Sequence, residues 1–262
     1  TYTNKAIAFI EHSADRPFFL YLATHNIHVP RVPNPRFTYT SACGIRGDSI
    51  QELDDSVGKV LATLERLKLV DKTLVIFTSD NGGVVDDGYE DFGSLEHKCN
   101  GALRGFKGSL FEGGHRVPLI SRWPGHIAEG SENGELITLL DMSATFAALT
   151  GVALPQDAVP DGFNVLPALL GEPHEKPARE TFIAHNGGTK GPFGIRKGPW
   201  KLITGPGGSG RGPKPDNPAE PQLFNLADDL AETKNVAAEH PEIVQELREL
   251  FAKQLDAGRS RP

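Results

Sequence analysis

At 262 residues, with 38% hydrophobic and 23% charged positions, the chain can bury a real core and fits one large domain or one and a half. A formal net charge of -7 and a pI near 5.7 argue against a general nucleic-acid binder, because phosphate backbones reward clustered Lys and Arg; an anionic substrate has to be met by a local cationic pocket. No run approaches the roughly 20 apolar residues that cross a bilayer, the opening Thr1 to Lys5 lacks a signal-peptide pattern, and two cysteines, Cys43 and Cys99, make neither a disulfide framework nor a zinc site.

In chain order, Tyr2 to Glu11 reads as the end of a helix, and the apolar run Phe18 to Ala23 as a buried strand that stops at Thr24 to Pro30. Pro30, Pro33 and Pro35 force an extended, irregular loop. From Asp48 to Leu69, Ile50, Leu53, Val57, Val60, Leu61, Leu64 and Leu67 recur at three and four, the period of an amphipathic helix. Thr73 to Thr78 follows as a second buried strand, with Asp80-Asn81-Gly82-Gly83 at its carboxyl end. A Gly-rich, acid-rich loop from Gly82 to Gly101 leads to Leu103 to Gly108, then to a short strand at Val117 to Trp123 and a helix over Ile137 to Leu149 capped at Gly151. After Gly171 the composition shifts to Pro, Glu and Lys, which suggests a hinge. Four short strands follow, Thr181 to His185, Phe193 to Arg196, Trp200 to Thr204 and Gln222 to Asn225, an antiparallel sheet with a hairpin at Lys197 to Pro199. Gly205 to Pro221 reads as an excursion, and the last helix follows Pro241 with Ile243, Val244, Leu247, Leu250, Phe251 and Leu255 as its buried stripe. The expected division is 1–175 for an α/β domain and 176–262 for a smaller unit.

Chemistry concentrates in three loops. Open α/β sheets place ligands at the carboxyl ends of their strands, and the paired oxygen donors Asp80 and Asn81 there suit a divalent cation such as Ca²⁺, though the same four residues also make ordinary turns. Lys107 lies in a glycine-flanked loop whose backbone can approach an anion, and His28 follows the first strand; singly, each is equally a loop charge or a loop histidine. If the two strands are neighbours, these groups converge on one edge of the sheet. A cation, a lysine and an imidazole around one point would suit an anionic ester, the charges neutralising the transferred group and the histidine protonating the leaving oxygen.

The ordered segments Phe18 to Pro30, Ser79 to Gly83, Leu103 to Gly108, Glu112 to Pro118 with Trp123-Pro-Gly125, and later Gly194 to Ile203 and Leu223 to Asp229, resemble the formylglycine-dependent (type I) sulfatases over essentially the whole chain. The resemblance implies an α/β, alkaline-phosphatase-like sheet flanked by helices, incomplete at its N-terminus, with a small C-terminal antiparallel sheet plus helix. It matches Asp80 and Asn81 to Ca²⁺ ligands, Lys107 to the lysine bridging sulfate and leaving group, His28 to the histidine assisting departure of the alcohol, and His25 to a possible substrate contact. The Glu112-Gly-Gly-His-Arg116 segment is similar to a structural signature in which the glycines allow a tight turn and Arg116 pairs with a buried carboxylate. The family's nucleophile, a formylglycine made from Cys-x-Pro/Ala-x-Arg, has no match: Cys43-Gly-Ile-Arg46 has its arginine one residue too close, and Cys99 has none.

The chain thus resembles the C-terminal two-thirds of a sulfatase, with the formylglycine and further metal ligands expected upstream. Asp54-Asp55 falls inside the amphipathic helix, where one member is expected to pair locally. Weak metal binding and no turnover are expected of the chain alone. The partner implied is a sulfated small molecule or glycan, with no nucleic acid and no membrane span, and the family suggests a periplasmic or secreted protein; oligomeric state is unreadable. Specificity would sit on rim loops Pro30 to Arg46, Val84 to Asn100 and Gly187 to Pro192. Two other functions fit the same residues: a phosphodiesterase or phosphonate hydrolase of the same superfamily, and a non-catalytic binder of sulfated glycans.

Overall fold

The computed structural model describes residues 1–84, 97–172, 175–186, 191–205, 207 and 221–261. The acidic loop Asp86 to Asp91, most of the Gly205 to Pro221 excursion and most of the Gly187 to Pro192 rim therefore lie outside the described residues. The chain divides into two units. One comprises Thr1–Ile76, Asp86–Lys98 and Arg122–Gly125; the other comprises Phe77–Val85, Cys99–Ser121 and His126–Pro262.

In the first unit, helix α1 (Tyr2–His12) starts where the Thr1 side chain accepts from the amide of Asn4, and it packs on α2 (Gly44–Arg66). Ala6, Ile10 and Leu64 are the buried apolar residues of these helices, and the Thr3 hydroxyl donates to that of Ser56 at 3.0 Å. Helix α2 begins four residues before the expected Asp48. Its opening turns bury polar residues, because the Asp48 carboxylate, 2% exposed, accepts from the amides of Tyr39, Thr40 and Ser41 at 2.9–3.1 Å and so ties down the preceding loop. Ile50, counted in the apolar stripe, is 38% exposed. Asp55 pairs with Lys59 one turn on at 2.7 Å, the local pairing expected of it.

Two strand expectations change. Phe18 to Ala23 is not a strand, and its side chains alternate between half-buried and exposed, with Phe19 69% and Tyr21 81% exposed. Pairing, which an apolar run alone does not supply, is what makes a strand. Strand β1 (Val75–Thr78) forms where expected but is half-buried rather than fully buried, in a two-stranded sheet with β2 (Leu119–Arg122).

In the second unit, the short helix α3 (Glu112–His115) precedes β2. The helix expected over Ile137 to Leu149 is a 3₁₀ turn, Leu139–Asp141, continued by α4 (Met142–Leu149). Gly151 (φ 70°) ends it as expected, its amide bonding to the Ala148 carbonyl while that of Val152 bonds to Ala147. After α5 (Leu166–Leu170), strands β3 (Thr181–His185), β4 (Phe193–Lys197), β5 (Trp200–Ile203) and β6 (Gln222–Asn225) form an antiparallel meander in chain order, with Ile195 opposite Leu202 and Leu202 opposite Leu223.

Strand alternation gives this sheet two unlike faces. Ile195, Leu202 and Leu223 form a core with Leu247 of α6 (Pro241–Ala257), against which Ile243, Val244, Leu250 and Phe251 also pack. Leu255 does not join them and is 64% exposed: at about 100° per residue it lies about 80° from Leu247, outside the stripe. Ile203 and Phe224, offset by one residue, pack with Leu110, Phe111 and Leu226. The 103–112 segment is thereby seated on the sheet.

Candidate functional site

Asp80, Asn81 and Lys107 belong to one hydrogen-bonded assembly of loops. The Gly82 amide donates to the Gly114 carbonyl at 3.0 Å, and the Lys107 amide donates to the Gly83 carbonyl at 3.0 Å, so the turn after β1, the Lys107 loop and α3 are stitched together through their backbones. Asn100, overlooked in the sequence as part of a glycine-rich loop, is the clasp. Its side-chain oxygen accepts from the Gly83 amide at 2.8 Å and its nitrogen donates to Gly105 at 3.0 Å and Gly83 at 3.3 Å. The glycines are there for close approach. A Cβ on Gly82 would sit 1.8 Å from the Gly113 carbonyl oxygen, and one on Gly113 would sit 2.3 Å from that of Gly105. Both obstacles are backbone, so Gly82→Ala is expected to cost at least the roughly 1–3 kcal/mol of an overpacked core, measured by urea unfolding.

Asp80 is exposed and Asn81 half-buried. The Asn81 side-chain nitrogen donates to the Gly82 carbonyl at 2.9 Å, so the amide oxygen is the atom a cation would meet. A carboxylate and an amide oxygen side by side fit a hard cation in donor type, as two of the six to eight oxygens Ca²⁺ takes. No group of three or more His, Cys, Asp or Glu that could hold a metal occurs among the described residues. His25 and His28 belong to the other unit, so the described assembly unites three of the five candidate residues and not all of them. The histidine rings are 6.3 Å apart; His28 Nδ1 is 2.7 Å from the Val29 carbonyl and His25 Nε2 is 3.3 Å from that of Pro30. A carbonyl only accepts, so in this contact His28 Nδ1 is the donor. The segment is held to α2 by Asn26, whose side chain donates to Glu52 at 3.1 Å and to the Ser49 carbonyl at 3.3 Å.

Beneath the Lys107 loop lies a buried ionic cluster. Lys201, on β5 beside Leu202, points to the opposite face, where Nζ contacts Glu112 Oε1 at 2.8 Å and Glu232 Oε1 at 2.9 Å; all three residues are at most 2% exposed. Arg116 pairs with Glu112 at 3.0 Å, the buried carboxylate anticipated for it. Burial works against ionising Glu112, but Lys201, with help from His115 and Arg116, outweighs it and holds the carboxyl at about 2. Glu232 is pushed up by burial, against the pull of Lys201.

His115, whose Nε2 is 3.3 Å from Lys201 Nζ, is held down to about 4 by burial and by that ammonium. A histidine with a depressed folded-state pKa binds fewer protons folded than unfolded between its two pKa values, so stability falls on acidification from about 6.5 to about 4, by up to about 3 kcal/mol. Glu112 adds a loss of the same sign between 4.5 and about 2, whereas Glu232, raised above 4.5, works in the opposite sense above 4.5 and so tempers the His115 decline. Urea midpoints across this range should show the decline, and His115→Gln should flatten its upper part.

Two family models match the chain: Sulfatase over residues 1–152, and the C-terminal model of N-sulphoglucosamine sulphohydrolase over residues 106–260. The chain belongs to the sulfatase family. It is 42% identical to the N-acetylgalactosamine-6-O-sulfatase of Bacteroides thetaiotaomicron over 95% of this chain and 49% of that protein, and 37% identical to arylsulfatase A of Homo sapiens over 93% and 50%. This sulfatase chain thus spans about half the length of the curated relatives it matches. Among solved structures it superposes on a sulfatase from the glycosaminoglycan metabolism of Bacteroides thetaiotaomicron (TM-score 0.87, 42% identity, 96% of this chain and 53% of that one) and on PsFucS1 sulfatase from Pseudoalteromonas sp. (TM-score 0.81, 27% identity, 97% and 51%). The α/β class, the small four-stranded antiparallel sheet and the C-terminal helix are those expected of the family. No helix among the described residues is long and apolar enough to cross a membrane.

Proposed function

We propose that the protein of which this chain is part is a sulfuric ester hydrolase acting on a sulfated carbohydrate or an aryl sulfate. The observation that supports this reading is the backbone stitching of the Asp80-Asn81 turn to the Lys107 loop, which ties the residues proposed as oxygen ligands to the proposed lysine in a chain of the sulfatase family. Lys107 would neutralise charge on the sulfate and the departing oxygen, and His28 would deliver the proton that oxygen needs. Asp80 and Asn81 would hold Ca²⁺, which when bound supplies charge neutralisation on the sulfate. The nucleophile, a formylglycine, would come from outside this chain, and His25 would contact substrate. The unit 1–175 would carry the chemistry and 176–262 would brace it. Relatives named for sulfated sugars favour a glycan substrate, and such polymers lie where a periplasmic or secreted enzyme meets them.

Matched aryl sulfate and aryl phosphate esters given to the full-length protein separate this reading from its phosphoester rival. Preferential release of sulfate is expected; preferential release of phosphate, or binding of sulfated glycan without hydrolysis, would overturn it.

A further inference from the structure

Resting on the reading of Lys107 as the group that faces the ester, we propose that Glu232 is a positioning residue for Lys107, gripping both ends of its loop from the C-terminal subdomain. The loop runs from Arg104 to Glu112, and each end is tied to this one residue. The Arg104 guanidinium donates to the Glu232 carbonyl at 2.8 Å, and the Glu112 amide donates to Glu232 Oε2 at 2.6 Å. The other carboxylate oxygen is held by Lys201 at 2.9 Å, and Lys201 is fixed in the middle of the four-stranded sheet with Arg196 and Phe224 as its cross-strand neighbours.

Three features mark this as a built grip rather than incidental packing. Glu232 is 0% exposed, so its carboxylate sits where desolvation penalises charge, and two groups, the Glu112 amide and the Lys201 ammonium, oppose that penalty. Its backbone sits at φ 55°, a conformation that costs a non-glycine residue on the order of 1–3 kcal/mol and turns the carbonyl and the carboxylate toward the same loop. The Arg104 side chain, 3.9 Å above the Phe111 ring, closes the span across the loop's own ends. Between the two anchors, Lys107 has its amide bonded to Gly83. The grip thus fixes the loop relative to the Asp80-Asn81 turn as well as to the sheet. A displacement of about 1 Å in such a group is enough to cost a reaction on the order of a hundredfold.

The test uses the full-length protein and an aryl sulfate. Glu232→Gln is expected to lower kcat at least tenfold with KM within about twofold, and to speed deuterium uptake by the amides of residues 104–112. Leu247→Ala, on the opposite face of the same sheet, serves as the structural comparison: it should lower the Tm at least as much and leave kcat within about twofold. Should Glu232→Gln not fold, Arg104→Met, which removes only one end of the grip, is expected to show the same kcat-selective loss. A kcat that is unchanged, or that merely follows Tm as in Leu247→Ala, would overturn the proposal. Lys107→Ala separates the two layers: if it stays active the reading of the site fails, whereas an inactive Lys107→Ala beside a fully active Glu232→Gln removes the grip alone.

Discussion

Lys107→Ala in the full-length protein is expected to lower kcat/KM for an aryl sulfate by about 10²–10³-fold or more, with the fold intact. The magnitude is that of deleting one preorganised charge from a site where negative charge develops. The fold should survive because the loop is held by main-chain atoms of Lys107, Arg104 and Gly113 and by Asn100, none of which needs the Lys107 ammonium. Steady-state kinetics on an ester with a good leaving group and one with a poor leaving group check the role further. If the ammonium stabilises the departing oxygen, the poor leaving group should suffer more.

The largest effect on stability is expected from Lys201→Met. Methionine fills much of the same volume but leaves Glu112 and Glu232, at 1% and 0% exposure, facing each other without the cation between them. Breaking a buried ion pair from one side costs about 3–5 kcal/mol, and urea unfolding should register it. The sign of the pH dependence identifies the cause. With Lys201 gone, the folded-state pKa of Glu112 rises from its present value of about 2, so the variant's deficit should shrink as acidification protonates the carboxylates. Adding Glu232→Gln to Lys201→Met should recover part of the loss at neutral pH.

Sequence pattern made the second unit legible and the first only in part. Strands β3 to β6 were readable because each is short, alternating and bounded by turn residues, and the Gly151 cap because a lone glycine follows an apolar helical run. Asp80, Asn81 and Lys107 stood out because acids, amides and glycines interrupted apolar stretches. The start of α2 was hidden by Gly44 and Gly47, whose breaker character is overridden by the buried Asp48 that holds the loop before it. Phe18 to Ala23 had strand composition but is not a strand. The Lys201 cluster was the deepest omission: a lysine alternating with apolar residues reads as a solvated strand face, and its partners lie 89 residues away at Glu112 and beyond β6 at Glu232. Such pairings are tertiary facts, and Asn100, 17 residues from the Gly83 it clasps, belongs with them.

A crystal structure of the full-length protein with Ca²⁺ and inorganic sulfate is the most direct test of the account. The expected result places an Asp80 carboxylate oxygen and the Asn81 amide oxygen about 2.3–2.6 Å from the metal, with Lys107 Nζ in hydrogen-bond contact with sulfate. A metal bound away from the Asp80-Asn81 turn, or a sulfate bound beside the metal with Lys107 turned away from it, would contradict it.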